Sequence, residues 1–243
     1  MVMRAPLVVA LLCVASAPAM ADEIVIPQPQ PGVGICAPFE CGTRLQQVFD
    51  APLFPSAITI ESLTFFNTTN NSEGPWVEPT RYRFYLSTTP LSSATITAAF
   101  DQNVGADSRL VFDWTVDGFE TGFSNGLLGT LTLPVAGGFS FDPRMGNLLL
   151  EIRKDSTAGY GDGPIYVDGV AAGASGVALL INTTDPILRR GQGMTIGLNG
   201  RLFGDPFDPG DGAGEVPVPE PASLALIGSG LFAAALRRRR RNA

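Results

Sequence analysis

The stretch Arg81-Tyr-Arg-Phe-Tyr-Leu-Ser87 decides the fold. Tyr82, Phe84 and Leu86 alternate with Arg81, Arg83 and Ser87, a period of two that belongs to a half-buried strand. The same alternation recurs at Leu110, Phe112 and Trp114, at Leu148, Leu150 and Ile152, at Val177, Leu179 and Ile181, and at Met194, Ile196 and Leu198. In Ala57-Ile-Thr-Ile-Glu-Ser-Leu-Thr-Phe-Phe66 the apolar phase slips between Ile60 and Leu63, which predicts a β-bulge near Ser62. Turn signals stand between these runs: Asn70 to Pro75, Asp117-Gly118, Ser124-Asn-Gly126, Gly137-Gly138, Gly161 to Pro164 and Asp168-Gly169. No comparable helical period appears outside the termini. The expected fold is all-β, an antiparallel β-sandwich of jelly-roll-like form.

Working outward, both flanks of this region are rich in Pro and Gly. Residues 22–42 contain Pro27, Pro29, Pro31, Gly32 and Gly34 and read as an extended arm. Residues 204–218 include Asp205-Pro-Phe-Asp-Pro-Gly-Asp-Gly-Ala-Gly and read as an acidic spacer. The sandwich domain is therefore placed at 43–203.

The N-terminus begins Met1-Val-Met-Arg4, turns apolar from Leu7 to Val14 and reaches small residues at Ala15 to Ala21. That order describes a secretory signal peptide over 1–21, with cleavage after Ala21, and implies the Sec machinery and signal peptidase as partners. Export makes a Cys36–Cys41 disulfide the default, with two free thiols as the alternative. Cys13 would leave with the signal peptide.

The C-terminus reads Pro219-Glu-Pro221, then an uncharged apolar run from Ala222 to Leu236, then Arg237, Arg238, Arg239, Arg240 and Arg241. The run is shorter than the roughly 20 residues that span a bilayer comfortably. The arginines sit where the positive-inside rule places a cytoplasmic stop. Residues 219–243 are thus expected to hold the chain in the inner membrane through a single transmembrane helix, with the body outside.

Pro219-Glu220-Pro221, the apolar helix with Gly228-Ser229-Gly230 and the basic end together resemble a PEP-CTERM sorting signal. The resemblance implies processing by an exosortase, a membrane transpeptidase, in a Gram-negative bacterium that makes exopolysaccharide. The anchor would then be transient, and the body would pass to the cell surface or the extracellular space. A second resemblance lies in Arg44 to Phe54, Ile58-Thr-Ile60, Phe65-Phe66, Leu86-Ser-Thr-Thr89 and Phe141 to Leu150. These stretches look like a β-sandwich ectodomain common among PEP-CTERM proteins, and they imply no activity.

Charge narrows the function further. Between residues 22 and 221 ten basic residues face all 23 acidic ones. So acidic a body repels phosphate backbones, which argues against nucleic acid as a partner. The chain has no His, which removes Ser-His-Asp and Cys-His catalysis and the usual zinc sites. Glycoside hydrolysis needs only two carboxylates, and Glu61, Asp113, Glu120 and Glu151 could supply them. The strand alternation sets Glu61, Asp113 and Glu151 opposite the large apolar residues, so solvent-facing positions are the simpler reading.

No cofactor is expected; calcium is the alternative, since hard oxygen ligands suit acidic loops, with Asp205, Asp208 and Asp211 as candidates and Asp162 and Asp168 flanking a short strand. A flexible acidic spacer is the simpler account of the first three. Trp76, in a surface loop, is the candidate ligand residue for carbohydrate, with Tyr85 and Tyr160 as further aromatics that could join it and ordinary loop packing as the simpler reading; Trp114 reads as core. Asn67, Asn70 and Asn182 open N-x-[ST] triplets and read as turn and strand-edge residues. The expected function is a non-enzymatic, exported surface or matrix protein associated with exopolysaccharide or biofilm. The alternative is an exported carbohydrate-binding module or polysaccharide-active enzyme.

Overall fold

Alternating side chains become strands only where the backbone finds partners, and here the partners come mostly from far along the chain. The computed structural model describes residues 22–36, 39, 41–68, 80–116, 129–155, 166–182 and 185–203. The strands are β1 (Asp22–Ile26), β2 (Gly34–Ile35), β3 (Arg44–Phe49), β4 (Ala57–Asn67), β5 (Thr80–Thr89), β6 (Arg109–Val116) and β7 (Gly129–Phe141). They continue with β8 (Asn147–Lys154), β9 (Val167–Val170), β10 (Val177–Asn182), β11 (Pro186–Arg190), β12 (Gly193–Met194) and β13 (Ile196–Phe203). Among the described residues the one α-helix is the single turn α1 (Phe100–Asn103). The chain divides into two units after Phe203, and all described residues belong to the first.

Every strand pair is antiparallel. One sheet has the order β1-β13-β4-β7, a second β11-β10-β3-β8-β5-β6, and a small third β12-β9-β2. The pairing is nested: β5 lies beside β6, β4 beside β7 and β3 beside β8. A long hairpin rolled so that its middle pair falls into the other sheet gives this pattern, which is how a jelly roll is built.

The two larger sheets share one apolar core, with Ile58, Ile60, Leu63 and Phe65 from one sheet and Tyr82, Phe84, Leu148 and Leu150 from the other. Phe65 and Phe84 meet edge to face across it, with ring centroids 6.0 Å apart. Phe39 packs against both Phe65 and Tyr82, at 5.3 and 5.8 Å. The Tyr82 hydroxyl donates to the Phe39 carbonyl at 2.9 Å, so its polar tip is satisfied while its ring stays buried. Trp114 is half-buried against the same core.

Three local expectations change. The residues read as an arm at 22–42 supply β1 and β2, and β1 pairs along its whole length with β13. Ile26 is buried there and Ile24 packs on the core, so the strand forms ahead of Pro27, Pro29 and Pro31, and these end it rather than prevent it. Gly137-Gly138 is no turn between strands; it lies inside β7. There Ile60 pairs with Phe139 and Ser62 with Pro134, so residues 135–138 and Glu61 bulge out together. Positive φ at both glycines (69° and 60°) lets the strand swell without reversing. The slip near Ser62 is this bulge seen from β4. Asp168-Gly169 likewise sits within β9, where a Cβ on Gly169 would stand 2.6 Å from the Gly193 carbonyl. The glycine serves close strand approach rather than chain reversal.

Candidate functional sites

The outer face of the six-stranded sheet is where the sequence expectation fails most usefully. Strand alternation puts Arg44, Gln46 and Val48 of β3 on that face, with Leu149, Glu151 and Arg153 of β8 beside them. A two-sided sandwich would leave all six in water. Instead the β5–β6 connection folds over part of the face, and its Ile96 and Val104 pack with Val48, Leu149 and Ala178 in a second apolar cluster. Arg190 fixes this cover by donating from its guanidinium to the Ala94 and Ile96 carbonyls, at 3.1 and 3.0 Å.

Glu151, expected in solvent, is therefore buried, its side chain 2% exposed. A carboxylate taken out of water must be paired and hydrogen-bonded, and Glu151 is both. Its Oε1 accepts from Arg44 Nε and from Arg153 Nε, each at 2.6 Å, and its Oε2 accepts from Gln46 Nε2 at 3.2 Å. Gln46 Nε2 also donates to the Phe100 carbonyl, and Gln46 Oε1 accepts from Asn103 Nδ2 at 2.9 Å. Asn103 in turn holds Thr97. The polar groups under α1 thus form a connected network, the condition under which buried polarity rigidifies a structure. Hydrogen bonding to Glu151 raises the Arg153 pKa above its ordinary value.

Farther toward β6 the same face becomes an open charged row. Arg81 clamps Asp113 with two guanidinium nitrogens, and Arg83 donates to Asp155. The bond from Arg81 holds the Asp113 carboxyl below the usual range, as the bond from Arg44 does for exposed Asp101. The Arg153 guanidinium lies over the Tyr85 ring at 4.7 Å, a cation–π contact.

Among the described residues, the acids weighed for hydrolysis (Glu61, Asp113 and Glu151) are not brought together as a pair. Glu61 stands in the four-stranded sheet and accepts from Arg201 at 3.1 Å. Asp113 and Glu151 share the other sheet with β5 between them, and each is engaged by arginine. Among the described residues no group of three His, Cys, Asp or Glu side chains could hold a metal ion. Asp168, expected beside a turn, is fully buried and accepts from the Thr68 backbone at 3.0 Å and from its hydroxyl. Asn67 is buried and Asn182 ends β10.

Cys36 and Cys41 form a disulfide with their Cα atoms 5.4 Å apart. It closes a short loop beside Phe39, which anchors that loop in the core. Glu120, Tyr160, Asp162 and Trp76 lie outside the described residues, as do Asn70, Asp205, Asp208 and Asp211. The segment 1–21, Pro219-Glu220-Pro221, the apolar run 222–236 and Arg237 to Arg241 also lie outside them. Among the described residues no helix is long and apolar enough to cross a membrane.

Comparison with known families decides the reading of the C-terminus, because residues 217–241 match the family model described as the PEP-CTERM protein-sorting motif. The chain carries a PEP-CTERM sorting motif. The match spans Pro-Glu-Pro, the apolar run and the arginines as one unit, which makes the chain an exosortase-sorted, exported protein with a surface or extracellular fate. Exosortase is accordingly its processing partner. No curated protein and no solved structure matches the chain, so the motif speaks for its sorting and the β-rich body for its fold.

Proposed function

We propose that this PEP-CTERM protein is a non-enzymatic component of the cell surface or extracellular matrix, associated with the exopolysaccharide that surrounds the cell. The PEP-CTERM match at 217–241 carries the reading, because it fixes where the body is sent. The tail holds the precursor transiently in the inner membrane, with Arg237 to Arg241 on the cytoplasmic side, until exosortase acts near Pro219-Glu220-Pro221. The body then joins the polymer layer as a folded, acidic β module. Its described carboxylates support this reading, since Glu61, Asp113 and Glu151 are each engaged by arginine.

Fractionation of cells with and without the exopolysaccharide tests the association. The protein should be recovered with the polymer when it is made and in the medium when it is not. Equal distribution in both strains would refute the association. Hydrolysis of the polymer by the purified protein, lost on a single Glu→Gln change, would replace the proposal with an enzyme.

A further inference from the structure

On the outer face of the six-stranded sheet two arginines meet with no carboxylate between them. Arg153 of β8 and Arg83 of β5 are paired in register. Side chains so placed have Cβ atoms about 4.5–5.5 Å apart, and like charges there repel. Arg44 faces Arg153 from the other side in the same way, but Glu151 bridges that pair with one oxygen. Between Arg153 and Arg83 no described acid does so.

The donors left over are specific. Arg153 gives its Nε to Glu151, and no described acceptor is bonded to its two Nη atoms. Arg83 gives one Nη to Asp155, while its Nε is buried with no partner. Both side chains remain open to a ligand, at 39% and 32% exposure. Next to them stands an apolar surface: Tyr85, under the Arg153 guanidinium, is paired with Leu110, which is 42% exposed.

We infer that Arg83 and Arg153 form a binding site for the carboxylate of an acidic sugar, a uronate unit, whose ring lies against Tyr85 and Leu110. The two unfilled Nη atoms of Arg153 form a fork that suits a planar oxyanion, and the second Nη of Arg83 adds a donor beside it. The four arginines Arg44, Arg81, Arg83 and Arg153 are balanced by Asp101, Glu151, Asp113 and Asp155, so recognition rests on the unfilled N–H groups rather than on net charge, and a monoanion meets less repulsion than a dianion. A dianionic phosphate would meet Asp155 at close range. Repulsion from the rest of the acidic body is screened beyond about 8 Å at physiological ionic strength, so local contacts govern binding. The site draws its biological setting from the proposed association with exopolysaccharide, but it is tested on the isolated protein.

The full chain in detergent is titrated calorimetrically with trigalacturonate, alongside neutral maltotriose and triglutamate. Saturable binding of trigalacturonate is expected, at least tenfold tighter than either comparison compound. Arg153→Gln and Arg83→Gln should each weaken it at least tenfold, and Arg201→Gln, on the other sheet, should not. Arg83→Lys keeps the charge and removes the planar guanidinium with its free Nη, so it should weaken binding even if Arg153→Gln fails to fold. No saturable binding, undiminished binding in both Arg83 variants, or equal binding of triglutamate would overturn the site. If the protein still fractionates with the polymer in that case, the site falls and the association stands.

Discussion

Glu151 holds two arginines through a single oxygen beneath the cover of the β5–β6 connection, and removing its charge leaves Arg153 without its carboxylate and Arg44 with only exposed Asp101. Arg44 and Arg153 keep partial access to water, at 22% and 39% exposure. The loss is therefore smaller than for a fully buried pair. Glu151→Gln should destabilise the body by about 1–3 kcal/mol, read as a lower urea midpoint with unchanged slope. Glu61→Gln, at an exposed pair, should stay within about 0.5 kcal/mol. The arginine contacts also set a pH dependence. Folding lowers the carboxyl pKa of Asp101, Asp113 and Asp142, through hydrogen bonds from Arg44, Arg81 and Arg144. A depressed folded pKa contributes stability that is present above the unfolded value and lost as pH falls through the folded one. Thermal melts should therefore hold steady from neutral pH to about pH 5 and decline as pH drops below the ordinary Asp value of about 3.9. Because these pairs are exposed, added salt should shrink the decline.

At the scale of elements, the strands were legible because their apolar residues alternate. Tyr82, Phe84 and Leu86 do face the core, and so do Leu148, Leu150 and Ile152. What alternation could not deliver was the covering of the polar face. One signal for it was present: Leu149 and Val48 are apolar residues on the side that carries Glu151 and Gln46. A leucine on a solvated face is unremarkable singly, so only the pairing of β3 with β8 brings the two together. The Arg83–Arg153 juxtaposition was hidden for the same reason, since the residues lie 70 positions apart and register alone sets them opposite. Gly137-Gly138 misled because positive φ permits a bulge as readily as a turn. The cover has its own test: Ile96→Ala should cost about 2–4 kcal/mol and speed hydrogen exchange in the connection over residues 90–108. Reduction of Cys36–Cys41 should cost less than loss of a long-range bridge. Its loop is short, so the model of loop entropy gives about 2 kcal/mol, a fall of about 4–8 °C in Tm.

Across the whole molecule, the two ends and the body divide the work. The sorting motif at 217–241 determines processing, and the β-sheet unit that ends at Phe203 determines what is delivered. Composition obscured this division, because the five terminal arginines offset much of the charge of a body with ten basic and 23 acidic residues. A net negative body stays soluble outside the cell and makes binding of an anionic polymer a matter of local contacts such as Arg83 and Arg153. Sorting is the claim on which the rest depends. Its most direct test replaces Pro219, Glu220 and Pro221 together by alanine in the native host and follows the protein by fractionation and intact mass. Full-length protein retaining residues 222–243 should accumulate in the inner membrane, while the unmodified chain reaches the surface or medium without them. Unchanged delivery of the triple variant, with its tail removed as before, would contradict the account.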